Sequence, residues 1–122
     1  MDPIPEIPID PAVLSRDEAV GQAYADDPLV YHGPFRRETL IGLGAAVAAV
    51  AEGGDFGALP TLWIHGAEDA LVPVANTRPV IEAIRGQHLH EIIYPGARHE
   101  VFNEINQDEV IADVLEFIGR HV

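Results

Sequence analysis

The sequence contains no cysteine, which excludes disulfides, thiol nucleophiles and thiolate metal ligands. Positive charge is scarce: 7 Lys and Arg residues stand against 20 Asp and Glu, a formal net charge of −13. So acidic a chain lacks the basic footprint that nucleic acid requires, and an anionic lipid surface would repel it. No apolar run approaches the ~20 residues that a membrane-spanning helix needs. The opening MDPIPEIPID has neither the basic flank nor the apolar stretch of a secretory signal. The expected location is cytoplasmic, with apolar, peripheral contact as the alternative that brings the chain to a membrane. Repeats and low-complexity tracts are absent as well.

What is present suffices for one compact domain: 122 residues, 48% hydrophobic and 22% charged. Prolines at 3, 5, 8 and 11 fix φ and predict an extended lead-in over residues 1–14. Ser15-Arg16-Asp17-Glu18 has the form of a capping box, with the Ser15 hydroxyl on the Glu18 amide, opening a helix that runs to about Ala25. Leu40, Leu43, Val47 and Val50 recur at helical spacing and predict a helix over 36–52 with a broad buried stripe, stopped by Gly53-Gly54.

The run Thr61-Leu62-Trp63-Ile64-His65 lies between Pro60 and Gly66. Its lack of alternation suits a strand of a parallel sheet, buried on both faces. A helix over 76–85 follows, with Val80, Ile81 and Ile84 inward. A second short strand covers 91–94, and a last helix covers 107–120 with Val110, Ile111, Val114, Leu115 and Ile118 as its apolar face. Strands alternating with helices predict an α/β fold of parallel βαβ units. Two strands are too few for a complete sheet of this type, so the fold reads as the trailing end of a larger one.

Chemistry concentrates where the strands end. Asp69 lies in the loop that follows the first strand, and His99 in the loop that follows the second. In open α/β sheets functional groups collect at the carboxyl ends of strands, and neighbouring strands lie about 5 Å apart. An Asp and a His meeting there have a clear use, because the carboxylate fixes the imidazole tautomer and lets the histidine act as a base. A turn aspartate beside a surface histidine is the plain alternative that spacing leaves open.

Two segments add to this. LPTLWIHGAEDALVPV and EIIYPGARHEVFNE resemble the acid-bearing and histidine-bearing segments of the α/β-hydrolase family, which run strand, H-G-x-x-D, helix, strand, Y-x-G-x-x-H, helix. The earlier VLSRDEAVGQAYADDPLVYHG resembles the end of the cap in monoacylglycerol lipases of the actinobacterial type. The resemblance implies the C-terminal portion of an α/β-hydrolase fold with an incomplete sheet. Residues 1–35 would end the cap, and residues 36–122 would belong to the core. It implies Asp69 as the triad acid and His99 as the base, in a serine hydrolase of monoacylglycerols or similar lipid esters. The family order of nucleophile, acid, base is kept for the last two, but no G-x-S-x-G occurs and Ser15 is the only serine. The chain by itself is therefore expected to be inactive. The nucleophile, the oxyanion-hole loop and the first strands are expected in a missing N-terminal half. That half, or a second copy of the chain in a dimer, is the expected partner.

Leu71 and Val72, just past the acid, are the candidate substrate contacts. Leu29, Val30, Tyr31, Val101 and Phe102 could share an acyl pocket with them, since ligand pockets are mainly apolar. His88 and His90 share a strand face without an evident third ligand, so neither metal nor cofactor is expected. His65 reads as structural, and His32 and His121 as exposed. Gly66 and Gly96 read as turn residues that need backbone freedom. The alternatives are another α/β-hydrolase (an esterase, thioesterase or dehalogenase) or a truncated, non-catalytic interaction module.

Overall fold

The computed structural model describes residues 8–122, so the first part of the proline-rich lead-in lies outside it. A 3-10 turn at Pro11–Val13 comes first, then helices α1 (Glu18–Asp26) and α2 (Arg37–Glu52). Strand β1 (Thr61–Gly66), helix α3 (Val74–Ile84) and strand β2 (Leu89–Tyr94) form one βαβ unit. A second 3-10 turn at Val101–Asn103 leads into α4 (Gln107–His121).

β1 and β2 pair in parallel, from Thr61 opposite Leu89 to Gly66 opposite Tyr94, and they are the whole sheet among the described residues. The strands therefore end level, and the loops that follow them leave from the same edge. β2 starts two residues earlier than its apolar run predicts. Main-chain pairing carries it through the polar His90 and Glu91, and the Thr61 amide donates to the His88 carbonyl at 3.0 Å. α3 also begins early, because the Pro73 carbonyl accepts the amides of Asn76 and Thr77 and so opens the helix.

The core is small. Tyr94, Ala97, Val101 and Val110 are its buried members, with Ile64 and Ile92 packed against them. It thus joins the last residue of β2, the loop beyond it and the first turn of α4. The Tyr94 hydroxyl sits within this apolar cluster and donates to Asp113 at 2.8 Å. Burial pushes that phenol well above its usual range, and the Asp113 hydrogen bond and the charges of Asp113 and Glu109 add to the shift. It stays protonated and serves as a donor.

Three expectations need correction. The stripe predicted to bury α2 is exposed at Ile41, Leu43, Val47 and Val50, because a two-stranded sheet is too narrow to lie beneath it. α2 rests on α3 instead. On α4, Val110 is buried while Ile111, Leu115 and Ile118 remain exposed for the same reason. The capping box does not form. Asp17 is the N-cap of α1, accepting from the Ala19 amide at 3.0 Å. Ser15 is buried, because the segment before α1 runs against the loop that follows β2.

Two glycines matter for different reasons. Gly96 has φ +75° and takes the left-handed turn after β2. Gly66 has no positive φ; its need is space. A Cβ there would stand 2.1 Å from the Arg98 carbonyl oxygen and 2.5 Å from that of Ala97. The end of β1 and the loop carrying residues 97–98 are thus in backbone contact. We expect Gly66→Ala to lower the urea denaturation midpoint, by the ~1–3 kcal/mol typical of overpacking. Gly42→Ala, on α2 with nothing within 4 Å, should leave the midpoint unchanged or raise it, since alanine favours a helix by ~0.5–1 kcal/mol.

Candidate active site

The loop after β1 bends back on the Asp69 side chain. Oδ1 accepts the amides of Leu71 at 2.9 Å and Val72 at 2.8 Å. Both are short-range contacts that a turn aspartate makes readily. They fix one oxygen of a carboxylate only 7% exposed and leave the other to present itself across the strand edge.

The loop after β2 brings His99 to that oxygen. Level strand ends place the two loops side by side, and main-chain bonds lace them. The Ala67 amide donates to the Tyr94 carbonyl at 3.0 Å, and that of Glu68 to the Ala97 carbonyl at 2.9 Å. His99 Nδ1 lies 2.9 Å from Asp69 Oδ2. A carboxylate only accepts, so the neutral imidazole carries its proton on Nδ1. Its Nε2 then holds the free lone pair, and no hydrogen bond reaches Nε2 among the described residues. A third of the His99 side chain is exposed, against almost none of Asp69.

The pair borders an open cleft of about 230 Å³. Ile64, Val72 and Val101 form its apolar wall, and His65 and Thr77 its remaining polar side chains. Of the candidate substrate contacts, Val72 lines the cleft and Leu71 does not. Leu71 is held close by its amide, while its side chain lies elsewhere. Val101 lines the cleft, whereas Phe102 is half exposed outside it. Leu29, Val30 and Tyr31 are not part of the wall, and Leu29 is 93% exposed.

His65 is closer to the site than a structural role required. Its Nδ1 lies 2.9 Å from the Gly66 carbonyl oxygen. Its Nε2 stands 3.4 Å from Thr77 Oγ1 and 3.9 Å from Asp69 Oδ2. Its place four residues before Asp69, on a strand end, was the available sign. Thr77 had no such sign, since it arrives through the packing of α3 over the end of β1. His88 precedes β2 while His90 lies within it, both exposed, and no cluster able to hold a metal occurs among the described residues.

Behind His99 lies a second buried carboxylate, Glu104, which sequence reading passed over. Its Oε1 accepts the amides of Arg98 at 2.7 Å and Arg16 at 3.1 Å. Its Oε2 accepts Arg16 Nε at 2.9 Å and the Ile105 amide at 3.0 Å. Ser15 joins the same junction, donating to the Asn103 carbonyl at 2.9 Å and accepting the Asp17 amide at 3.0 Å. The sole serine is thus occupied in holding the chain together. Burial raises the Glu104 carboxyl, but the amides of Arg98, Arg16 and Ile105 and the Arg16 guanidinium outweigh it and hold the group below the usual glutamate range.

A family model described as "Serine aminopeptidase, S33" matches residues 3–106. Monoacylglycerol lipase of Mycolicibacterium smegmatis is 38% identical over 122 residues, 98% of this chain and 42% of that protein. Non-heme haloperoxidase of Rhodococcus erythropolis is 38% identical over 61 residues, 49% of this chain and 21% of that one. Among solved structures, the monoacylglycerol lipase of Paleococcus ferrophilus superposes with a TM-score of 0.74 at 22% identity, over 100% of this chain and 48% of that one. A soluble variant of monoglyceride lipase from Saccharomyces cerevisiae, in complex with a substrate analog, gives 0.73 at 21% identity, over 97% and 42%. The chain spans less than half the length of each of these relatives.

The Glu104 junction predicts an acid dependence. A carboxyl held below its unfolded value, near 4.5, contributes stability that is complete above that pH and is lost as pH falls through the lower, folded value. The gap in urea midpoint between the wild type and Glu104→Gln should therefore be widest at neutral pH and narrow below about pH 4.5. A gap that stays constant on acidification would show that the charge of Glu104 contributes nothing.

Proposed function

Because this chain belongs to the serine aminopeptidase family of α/β-hydrolases, we propose that it is the acid- and base-bearing part of a serine ester hydrolase. The observation that carries this is the 2.9 Å contact of Asp69 with His99 Nδ1 at the level ends of two parallel strands. Monoacylglycerols or similar lipid esters are the proposed substrates. The M. smegmatis lipase supports this choice, since it matches nearly the whole chain, while the haloperoxidase matches half.

In the complete enzyme a serine from outside these residues attacks the ester carbonyl. His99 Nε2 takes its proton, and Asp69 stabilises the imidazolium and holds the tautomer. The alcohol leaves with that proton, an acyl-enzyme remains, and His99 next activates water to release the fatty acid. Val72, with Leu71 beside it, contacts the acyl chain along the wall shared with Ile64 and Val101. Residues 1–35 end a cap, and the rest of the enzyme covers the apolar side of α2. Where that part is absent, a second copy of the chain takes its place.

A chimera tests this: the 122 residues fused behind the part of the M. smegmatis lipase that precedes its match. It should hydrolyse p-nitrophenyl butyrate and a monoacylglycerol, whereas the isolated chain should turn over neither. Asp69→Asn in the chimera should lower kcat by roughly 10⁴-fold, the cost of the wrong tautomer, with the circular dichroism spectrum unchanged. Near-normal kcat would assign the acid to another carboxylate. A folded chimera that cleaves a peptide amide but no ester would sink the lipid-ester reading.

A further inference from the structure

We propose that Glu104 is a positioning residue for His99: its buried carboxylate fixes the backbone on which the imidazole turns toward Asp69. The inference rests on reading Asp69 and His99 as a catalytic pair. Glu104 touches neither of them and lies outside the cleft.

A carboxylate accepts hydrogen bonds at about four lone-pair sites and donates none. Glu104 has four partners, all of them donors: the amides of Arg98, Arg16 and Ile105, and Arg16 Nε. Two come from the loop that carries His99 and two from the segment before α1. The carboxylate is thus a clip between strands of chain 88 residues apart in sequence.

The consequence falls on three consecutive amides. That of Arg98 is held by Glu104 at 2.7 Å. Those of His99 and Glu100 donate to the carbonyls of Val13 at 3.4 Å and Leu14 at 2.8 Å. Val13 and Leu14 belong to the segment that Glu104 grips through Arg16, and the Arg98 guanidinium adds bonds to the carbonyls of Ala12 and Ser15. The backbone on both sides of His99 is therefore fixed by contacts that converge on one carboxylate. Asp69 is fixed separately by its own loop, so the angle between the pair depends on what holds His99.

Gln is the discriminating substitution. It keeps the shape and volume but turns one acceptor oxygen into an NH₂ that faces donors. The measurement is proton NMR of the 122-residue chain at neutral pH. A proton on His99 Nδ1 shared with a carboxylate resonates far downfield and is lost to solvent exchange when the pair opens. Wild type should show it, Asp69→Asn should lack it, and a folded Glu104→Gln should lose it or show it displaced and broadened. The Arg98 amide should also exchange at least about tenfold faster in Glu104→Gln, as expected when a charge-assisted hydrogen bond is lost.

A folded Glu104→Gln with an unchanged downfield proton would overturn the positioning role and leave the catalytic pair standing. A wild type without the proton, or Asp69→Asn with it, would instead overturn the pair and the proposal with it. Should Glu104→Gln fail to fold, Arg16→Gln decides. It keeps the Glu104 carboxylate on the backbone amides of residues 16, 98 and 105 and removes only the guanidinium, so the segment stays docked and the downfield proton and the slow Arg98 exchange should both survive. Their loss in a folded Arg16→Gln would mean that the guanidinium, and not the grip of Glu104 on the amides, places His99, and would overturn the proposal.

Discussion

A carboxylate loses far more hydration on burial than a single neutral hydrogen bond returns, so it persists inside a protein only when its oxygens are fully engaged. Glu104 meets that condition with four donors, one of them a guanidinium. Removing one partner of such a buried pair typically costs about 3–5 kcal/mol, a large share of what a small domain has. The apolar core is slight beside such a loss, since among the described residues its connected buried cluster consists of Tyr94, Ala97, Val101 and Val110. The residues on either side of Glu104 therefore depend on a polar junction more than on packing.

The site depends on two further constraints at the other end of the same loop. The parallel register ends β1 and β2 level, at Gly66 and Tyr94. Gly66 then lets the backbone of residues 97–98 come closer than any side chain would allow. A shift of one pair in the register, or a Cβ at Gly66, would move the His99 loop relative to Asp69 without altering either residue. The hydrogen bond between them reports on the sheet as much as on the two side chains.

Some of this could be read in the sequence. β1 was legible because an uninterrupted apolar run stands between Pro60 and Gly66. Asp69 and His99 could be placed in neighbouring loops because each follows a strand that ends in a glycine-containing turn. What could not be read depends on partners distant in the chain. Ser15 has the sequence context of a helix cap, yet it is drawn inward by the Asn103 carbonyl. Glu104 looks like a solvated residue between loop and helix, and only the return of Arg16 makes it interior. The face of α2 shows the reverse failure. Its periodicity is correct for a helix with a buried stripe, but periodicity names the face that wants cover and says nothing of what supplies it.

Asp69 and His99 are held by different kinds of structure. Asp69 is fixed by amides two and three residues away, contacts that close with little loss of chain entropy and form wherever that loop forms. His99 is fixed through groups that lie more than eighty residues off, at the far end of the described chain. Those contacts exist only once the segment before α1 has docked. The local half of the pair can thus be in place while the other is not. Loosening the segment at residues 12–16 would leave Asp69 oriented toward an imidazole that is no longer held to it. The tautomer, and with it the lone pair on Nε2, is in this sense a property of the tertiary fold, transmitted to His99 through main-chain amides.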